Sequence, residues 1–334
     1  MDDVQHMRRA MALAATVRGS TAPNPWVGCV IFPTARANDV ATFFEGATAP
    51  PGGPHAEVTA LARAGSAANG ATLYATLEPC VHHGRTPPCT DAIIGAGVSR
   101  VVIGIRDPDE RVAGRGVAAL REAGIEVTEG VVANEVEEQL APYLKHRRTG
   151  HPWVVLKMAA SLDGRTAAPD GSSRWITGAA ARRDVHRLRA GSDAVLVGAG
   201  TVRADDPELT VRLDDVDSGD EAQPLRVVLG RVPEDARVRP ALELEGDLSG
   251  VLDELGQRGV LQLLVEGGAT VAHDFHVAGL VARYVLYLAP ALFGGDDGRP
   301  LFAGPGAGTI AAVWRGRLVS VEQLGEDLRV EVAA

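Results

Sequence analysis

Short apolar runs of strand length alternate with segments of helical periodicity along most of the chain, and this alternation restricts the fold to the α/β class. Apolar side chains recur at helical spacing over residues 4–17, and residues 27–32 form a short apolar run suited to a buried strand. The Pro23-Asn24-Pro25 turn separates the two. Beyond the Pro/Gly-rich loop 50–54, the pattern predicts a helix over 56–64, a strand over 71–77, a helix over 90–96 and a strand over 101–105. Helix 113–123 and strand 125–128 complete this block near residue 130, and the repeated helix–strand order predicts an α/β sandwich with parallel strands.

A second block follows. Residues 134–146 read as a connecting helix, and the basic, Gly/Pro-containing stretch Arg147-Arg148-Thr149-Gly150-His151-Pro152 is the predicted boundary. Strand signals resume at Trp153, over 154–158, 194–198, 225–229, 261–265 and 284–288, with helical patterns between several of them. Residues 214–223 are acidic and read as a surface loop. A chain of 334 residues, 46% of them apolar, has material for two such domains.

Charge and cysteine content narrow the function classes. A formal net charge of −10 without a long Lys/Arg run gives no attraction to nucleic acid or anionic lipid. No apolar run reaches the ~18 residues of a membrane span, and the first residues lack the apolar core of a signal peptide. Three cysteines, Cys29, Cys80 and Cys89, are too few for a disulfide scaffold, so a cytoplasmic protein without nucleic-acid or membrane partners is expected.

The sharpest chemical signal is His55-Ala56-Glu57, followed by Pro79-Cys80 and then by Cys89. One imidazole and two thiolates suit tetrahedral Zn²⁺ with the fourth position open to water, which is what makes a zinc site catalytic. Zinc lowers the pKa of that water towards ~7, and a neighbouring carboxylate can carry its proton. Glu57, two residues from His55 at a helix start, is placed for that task. Zinc nucleobase deaminases use a non-ligand Glu in this way, although in their usual pattern two residues separate the cysteines, against eight here. Two other readings remain open at this level: core thiols beside a surface His and a solvated carboxylate, or a structural zinc site with His82 or His83 as fourth ligand. Cys29, inside Gly28-Cys29-Val30-Ile31, reads as core.

The long insertion Cys80-Val81-His82-His83-Gly84-Arg85-Thr86-Pro87-Pro88-Cys89, with Pro23-Asn24-Pro25-Trp26-Val27-Gly28-Cys29-Val30 before it, closely resembles the deaminase part of the bifunctional riboflavin-biosynthesis (RibD) family. Asp107-Pro108 and Val112-Ala113-Gly114-Arg115-Gly116 are similar as well. The resemblance implies that His82, His83, Arg85 and Thr86 line a pocket for a phosphoribosyl pyrimidine and that Asn24 contacts the base. The family has a short hairpin ending in a Gly-x-His turn before His-Ala-Glu. This chain has Phe43-Phe44-Glu45-Gly46-Ala47-Thr48, with Thr48 where the family's substrate-contacting His stands.

The second block has no Gly-x-Gly-x-x-Gly after a strand, so a Rossmann dinucleotide site is not supported. It has loops at strand ends instead: Ala160-Ser161-Leu162-Asp163-Gly164-Arg165, Ser172-Ser173-Arg174-Trp175-Ile176-Thr177, the stretch 198–207, and Val265-Glu266-Gly267-Gly268-Ala269-Thr270. Singly each reads equally well as a turn. Together, and in this order, they resemble the reductase part of the same family, which has a dihydrofolate-reductase-like fold. The resemblance implies NADPH contacts from Ala160, Trp175, Thr201, Asp205, Gly268, Ala269 and Thr270. It implies substrate contacts from Ser173, Arg189, Leu209, Arg212 and Glu266. Gly230 matches a further cofactor contact, although Leu229 before it stands where an acidic residue is common.

The fold expected is therefore α/β, with a cytidine-deaminase-like three-layer domain over 1–146 and a dihydrofolate-reductase-like domain over 151–334. The activities implied are zinc-dependent deamination of 2,5-diamino-6-ribosylamino-4(3H)-pyrimidinone 5′-phosphate, then NADPH-dependent reduction of the ribosyl group of 5-amino-6-(5-phosphoribosylamino)uracil to ribityl. A homo-oligomer is implied too. A deaminase of RNA or DNA, or a non-catalytic zinc or ligand-binding protein on the same folds, are the alternatives. The acidic charge and the reductase-like half count against the first, and retention of Glu57 against the second.

Overall fold

In the computed structural model, residues 2–34, 43–83, 87–213 and 223–334 are described. The chain divides into two compact units, Met1–Gly150 and His151–Ala334. The division falls inside the predicted boundary stretch, four residues beyond the predicted end at 146, because the helix expected over 134–146 runs on to Thr149 before Gly150 caps it in the left-handed region.

The first unit begins with α1 (Asp3–Thr16), whose N-terminus is capped by the Asp2 carboxylate accepting from Gln5 N–H at 2.9 Å. There follow β1 (Gly28–Phe32), β2 (Phe44–Ala47), α2 (Ala56–Ala64), β3 (Thr72–Leu77), α3 (Cys89–Gly95), β4 (Arg100–Ile105), α4 (Arg115–Glu122), β5 (Glu126–Glu129) and α5 (Ala133–Thr149). The sheet order is β2-β1-β3-β4-β5. The expectation of parallel strands needs correction: β3, β4 and β5 are parallel, but β1 runs antiparallel to both β2 and β3. The physical reason is the connection: the link from β1 to β2 is shorter than a parallel crossover requires, whereas α3 and α4 carry the chain back between the parallel strands.

Two glycines show how the layers close on this sheet. A Cβ on Gly28 would stand 1.9 Å from the Ala10 carbonyl oxygen of α1, and a Cβ on Gly46 would stand 2.1 Å from the Ala56 carbonyl oxygen of α2. Gly46 pairs with Cys29, the neighbour of Gly28, so the two contacts lie on opposite faces of the pleat. Helix, sheet and helix thus form three layers, and the backbone of α2, which carries the His55 and Glu57 positions, lies directly on the β1–β2 hairpin.

The second unit contains β6 (Trp153–Ser161), β7 (Arg165–Ala167), α6 (Ala179–Ala190), β8 (Ala194–Gly198), α7 (Ala199–Asp205), β9 (Leu225–Leu229), β10 (Leu242–Leu244) and α8 (Leu248–Gln257). After these come β11 (Gln262–Val265), α9 (Ala269–Val277), β12 (Arg283–Ala289), β13 (Arg299–Pro300), β14 (Arg317–Leu324) and β15 (Asp327–Ala333). An eight-stranded sheet has the order β10-β9-β8-β11-β6-β12-β15-β14. From β10 to β12 the strands are parallel, and the last two add antiparallel. Alternate residues of β6 feed two cores: Val154, Leu156 and Met158 pack with α8 and α9, and Val155 packs with α6 and α7. The parallel order puts the carboxyl ends of β6, β8, β9 and β11 along one edge, where the predicted ligand loops begin. Most of the acidic stretch 214–223 lies outside the described residues.

Candidate functional site

In the first unit the metal cluster is built from a helix start, a strand end and a second helix start. His55 is the N-cap of α2, with extended backbone at φ −73° and ψ 163°, Cys80 lies in the loop after β3, and Cys89 opens α3. The Cys89 N–H donates to Cys80 Sγ at 3.3 Å, and the Thr90 N–H donates to the Cys80 carbonyl at 3.2 Å, which brings the two cysteines together. His55 Nδ1 is 3.2 Å from Cys89 Sγ and 3.6 Å from Cys80 Sγ, and all three ligand atoms lie within 4.8 Å of one another. Bond lengths of about 2.3 Å for Zn–S and about 2.0–2.1 Å for Zn–N in a tetrahedron place ligand atoms about 3.5–3.8 Å apart. The donor set therefore fits zinc in size and chemistry. Among the described residues neither His82 nor His83 joins the cluster, so it offers three ligands rather than four.

Electrostatics favour the thiolate at Cys80, whereas Cys89 and His55 are both shifted towards their protonated forms. Hydrogen bonds from Cys89 and His55 hold the Cys80 thiol down at about 4, and the Cys89 thiol, which shares that proton, is pushed up. Glu57 sits in the first turn of α2, only 4% exposed, and burial followed by the Cys80 charge pushes its carboxyl up.

The cluster opens on a cavity of about 330 Å³. Asn24, Thr48, His55, Glu57, Cys80 and His82 line it, so most of the predicted residues of this unit converge. Cys89 stands behind the wall and His83 outside it. Arg85 and Thr86 lie outside the described residues. Thr48 follows the strand β2 of a regular hairpin, and its hydroxyl accepts from the Val27 N–H at 3.0 Å. It thus serves the backbone as well as the cavity wall.

The far wall was not read from the sequence. Glu78, Asp109, Arg111, Tyr143 and Arg147 line it with Asp107. Glu78, 3% exposed, accepts from the backbone N–H groups of Asp107, Gly114 and Val117 at 3.2, 3.0 and 3.0 Å and so ties the 107–117 loop to the strand that ends at the zinc ligands. The Tyr143 hydroxyl lies 3.1 and 3.0 Å from the two Asp107 carboxylate oxygens, and Arg147 donates to the Pro23 carbonyl at 3.1 Å, beside Asn24. Only α5, far along the chain, brings these last groups in, and no local motif marks them.

In the second unit the predicted residues spread along the carboxyl edge of the sheet. Ala160 is buried in β6, Thr201 and Asp205 are on α7 after β8, Gly230 follows β9, and Glu266 follows β11. Gly268 caps α9 without any side-chain capping bond, leaving its first amide groups free for a phosphate, and its own N–H donates to Thr201 Oγ1 at 3.1 Å. Cβ atoms on Gly267 and Gly268 would stand 2.6 Å from Val271 Cβ and 3.2 Å from Thr201 Oγ1, so glycine at both positions lets the turn pack closely against α9 and α7. Trp175 is 70% exposed, with the Arg182 guanidinium 4.6 Å from its ring centroid.

Arg189 and Glu266 meet in a two-pronged ion pair of 2.6 and 3.0 Å, and Arg189 also donates to the Thr210 carbonyl at 3.0 Å. Lys157, which the sequence reading passed over inside an apolar strand, places its Nζ 3.7 Å from Glu266. Burial pushes Lys157 down. Burial alone would raise Glu266, but Arg189 and Lys157 outweigh it and hold the carboxylate below its usual range. Leu209 has its side chain in the core and a φ of 56°, so it can meet a ligand only through its backbone. Arg212 is exposed and pairs with Glu208.

Comparison with known proteins covers both units. Residues 152–330 match the family described as RibD C-terminal domain, and residues 1–105 match the cytidine and deoxycytidylate deaminase zinc-binding region. The chain is 42% identical to the riboflavin biosynthesis protein RibD of Escherichia coli K12 over 98% of each chain. It is 44% identical to that of Mycobacterium tuberculosis H37Rv over 100% of this chain and 99% of the relative. Among solved structures, Acinetobacter baumannii RibD superposes with a TM-score of 0.92 at 40% identity, covering 99% of this chain and 98% of that one. A diaminohydroxyphosphoribosylaminopyrimidine deaminase/5-amino-6-(5-phosphoribosylamino)uracil reductase from Thermotoga maritima superposes with a TM-score of 0.85 at 34% identity, with the same coverage.

Proposed function

The chain belongs to the RibD family of bifunctional deaminases and reductases of riboflavin biosynthesis, with Zn²⁺ and NADPH as cofactors, and we propose how its residues divide the work. Residues 1–146 carry the hydrolytic deamination of 2,5-diamino-6-ribosylamino-4(3H)-pyrimidinone 5′-phosphate. Residues 151–334 carry the reduction of 5-amino-6-(5-phosphoribosylamino)uracil. The observation that carries the first assignment is the three-ligand cluster with buried Glu57 opening on one cavity.

His55, Cys80 and Cys89 hold the zinc, which when bound lowers the pKa of a water in its open position. Glu57 takes a proton from the attacking water and delivers it to the departing amino nitrogen, so that the ring carbon gains the water's oxygen and the C–N bond breaks to release ammonia. Asn24 and His82 orient the pyrimidine from the cavity wall, and the family resemblance assigns His83, Arg85 and Thr86 to the substrate as well. In the second domain, Ala160, Trp175, Thr201, Asp205, Gly230 and the Gly268-Ala269-Thr270 turn hold NADPH, which when bound supplies a hydride for C1′ of the sugar. The Arg189–Glu266 pair, with Lys157, Ser173, Arg212 and the Leu209 backbone, fixes the substrate against it.

The test is a split assay on the full-length protein, reading ammonia release from the diamino substrate and NADPH oxidation with the deaminated one. Removing zinc with a chelator is expected to abolish ammonia release and leave NADPH oxidation within about twofold, since zinc chemistry serves only the first reaction. Loss of both activities together would reject the division of labour.

Homo-oligomerisation is supported by the edge strand β14, which exposes Leu318, Val319 and Val321 beside Ile310, Val313 and Trp314. A Leu318→Glu/Val321→Lys double variant is expected to sediment as monomer where the parent sediments as a larger species. An unchanged sedimentation coefficient would move the interface elsewhere. No helix among the described residues is long and apolar enough to cross a membrane, and the three free thiols support a reducing, cytoplasmic compartment.

A further inference from the structure

The turn 209–212 carries the Leu209 backbone and Arg212, and side chains from elsewhere hold it rather than regular secondary structure. Leu209 has a φ of 56°, a region that residues other than glycine keep only where their surroundings fix them. Three side chains do so. Gln223 clamps Val211 twice, accepting from its N–H at 2.7 Å and donating to its carbonyl at 3.2 Å. Arg189 donates to the Thr210 carbonyl at 3.0 Å while its other nitrogens hold Glu266. The third is His186, half-buried on α6, whose Nδ1 lies 3.2 Å from the Thr210 carbonyl oxygen and 3.2 Å from the Arg212 amide nitrogen.

One ring nitrogen cannot donate to the carbonyl and accept from the amide at once. The Thr210 carbonyl already has Arg189, whereas among the described residues the Arg212 N–H has no other acceptor. Burial, followed by the charges of Arg189 and Arg212, holds His186 below the usual imidazole range and so keeps it neutral. Nδ1 therefore accepts from the Arg212 N–H, and the ring proton sits on Nε2. His186 and Arg189 are three residues apart on one face of α6, so the helix fixes the distance between this clamp and the Arg189–Glu266 pair. The Arg212 guanidinium lies at the surface against Glu208 and Thr210 Oγ1, and its reach is set by the backbone that His186 holds.

We infer that His186 is a positioning residue of the reductase: through Nδ1 it fixes the Arg212 backbone and thereby sets the affinity for 5-amino-6-(5-phosphoribosylamino)uracil rather than the rate of hydride transfer. This rests on the assignment of Arg189, Leu209 and Arg212 to the substrate. The test is the KM and kcat of NADPH oxidation with that substrate, on the full-length protein at saturating NADPH. The amide oxygen of Asn falls where Nδ1 stands, whereas the Gln amide reaches the Nε2 position. His186→Gln is therefore expected to raise KM about tenfold, as loss of one hydrogen bond does, with kcat within about twofold, and His186→Asn to stay within about twofold of the parent in both. A role in packing alone would favour Gln, which is nearer to the ring in size. Equal KM values for the two variants, a larger rise in Asn, or a loss confined to kcat overturns the inference. So does a Gln variant that no longer binds NADPH by calorimetry, since His186 would then support the whole domain. Arg212→Ala separates the two readings. A raised KM there beside an unmoved Gln variant overturns the role of His186 alone, and an unmoved KM in Arg212→Ala overturns the substrate assignment and this inference with it.

Discussion

Replacing Glu57 by Gln is expected to slow ammonia release by about 10²–10⁴-fold, the usual worth of a positioned proton carrier, while NADPH oxidation on the deaminated substrate continues unchanged. The amide has the shape of the carboxylate and keeps the packing of the first turn of α2 but cannot carry the proton. Because burial already disfavours the charged form of Glu57, a neutral side chain there adds no desolvation cost. His55, Cys80 and Cys89 are untouched, so bound zinc should remain at one per chain by elemental analysis. Loss of zinc together with ammonia release would make Glu57 a structural support of the cluster, and a decrease of less than tenfold would give the proton to another group.

That experiment addresses the part of the molecule most legible in its sequence. The His-x-Glu spacing, the two cysteines and the helix start at Ala56 are all local, and the structure realises them with α2 over the predicted span of 56–64. β8 and β9 likewise fall where the apolar runs place them, β8 because a strand buried on both faces has continuous apolar sequence, β9 through its buried Val227-Val228 pair. What local pattern does not encode is direction and distance. The reversal of β1 leaves no trace in its composition, since a buried strand reads alike in either sense. The hairpin of β14 and β15 mixes charged residues into its strands and is partly solvent-facing, so a search for apolar runs passes over it. Tyr143 and Arg147 reach the deaminase cavity only through the docking of α5, and Lys157 lies in an apolar strand where nothing nearby in sequence announces its partner.

Lys157, Arg189 and Glu266 carry the second large effect. Glu266 faces both cations, with side-chain exposures of 8% for Glu266, 12% for Arg189 and 17% for Lys157. Glu266→Ala leaves both cations buried without their counter-ion, which is expected to cost about 3–5 kcal/mol of stability and to abolish NADPH oxidation. Adding Lys157→Met to that variant removes one orphaned charge and should restore part of the stability but none of the turnover, since the substrate still lacks its anchors. The pH dependence has a definite sign. Glu266 has a folded-state pKa held below its unfolded value, so the pair stabilises the protein fully above the unfolded pKa of about 4.5 and the contribution fades as pH falls towards the lower folded value. Urea unfolding followed from pH 7 into this acid range should therefore show a steeper loss of stability in the parent than in Glu266→Gln. Parallel slopes would mean that the cluster contributes no net stability, and full retention of NADPH oxidation in Glu266→Ala would place the substrate away from the Arg189–Glu266 pair.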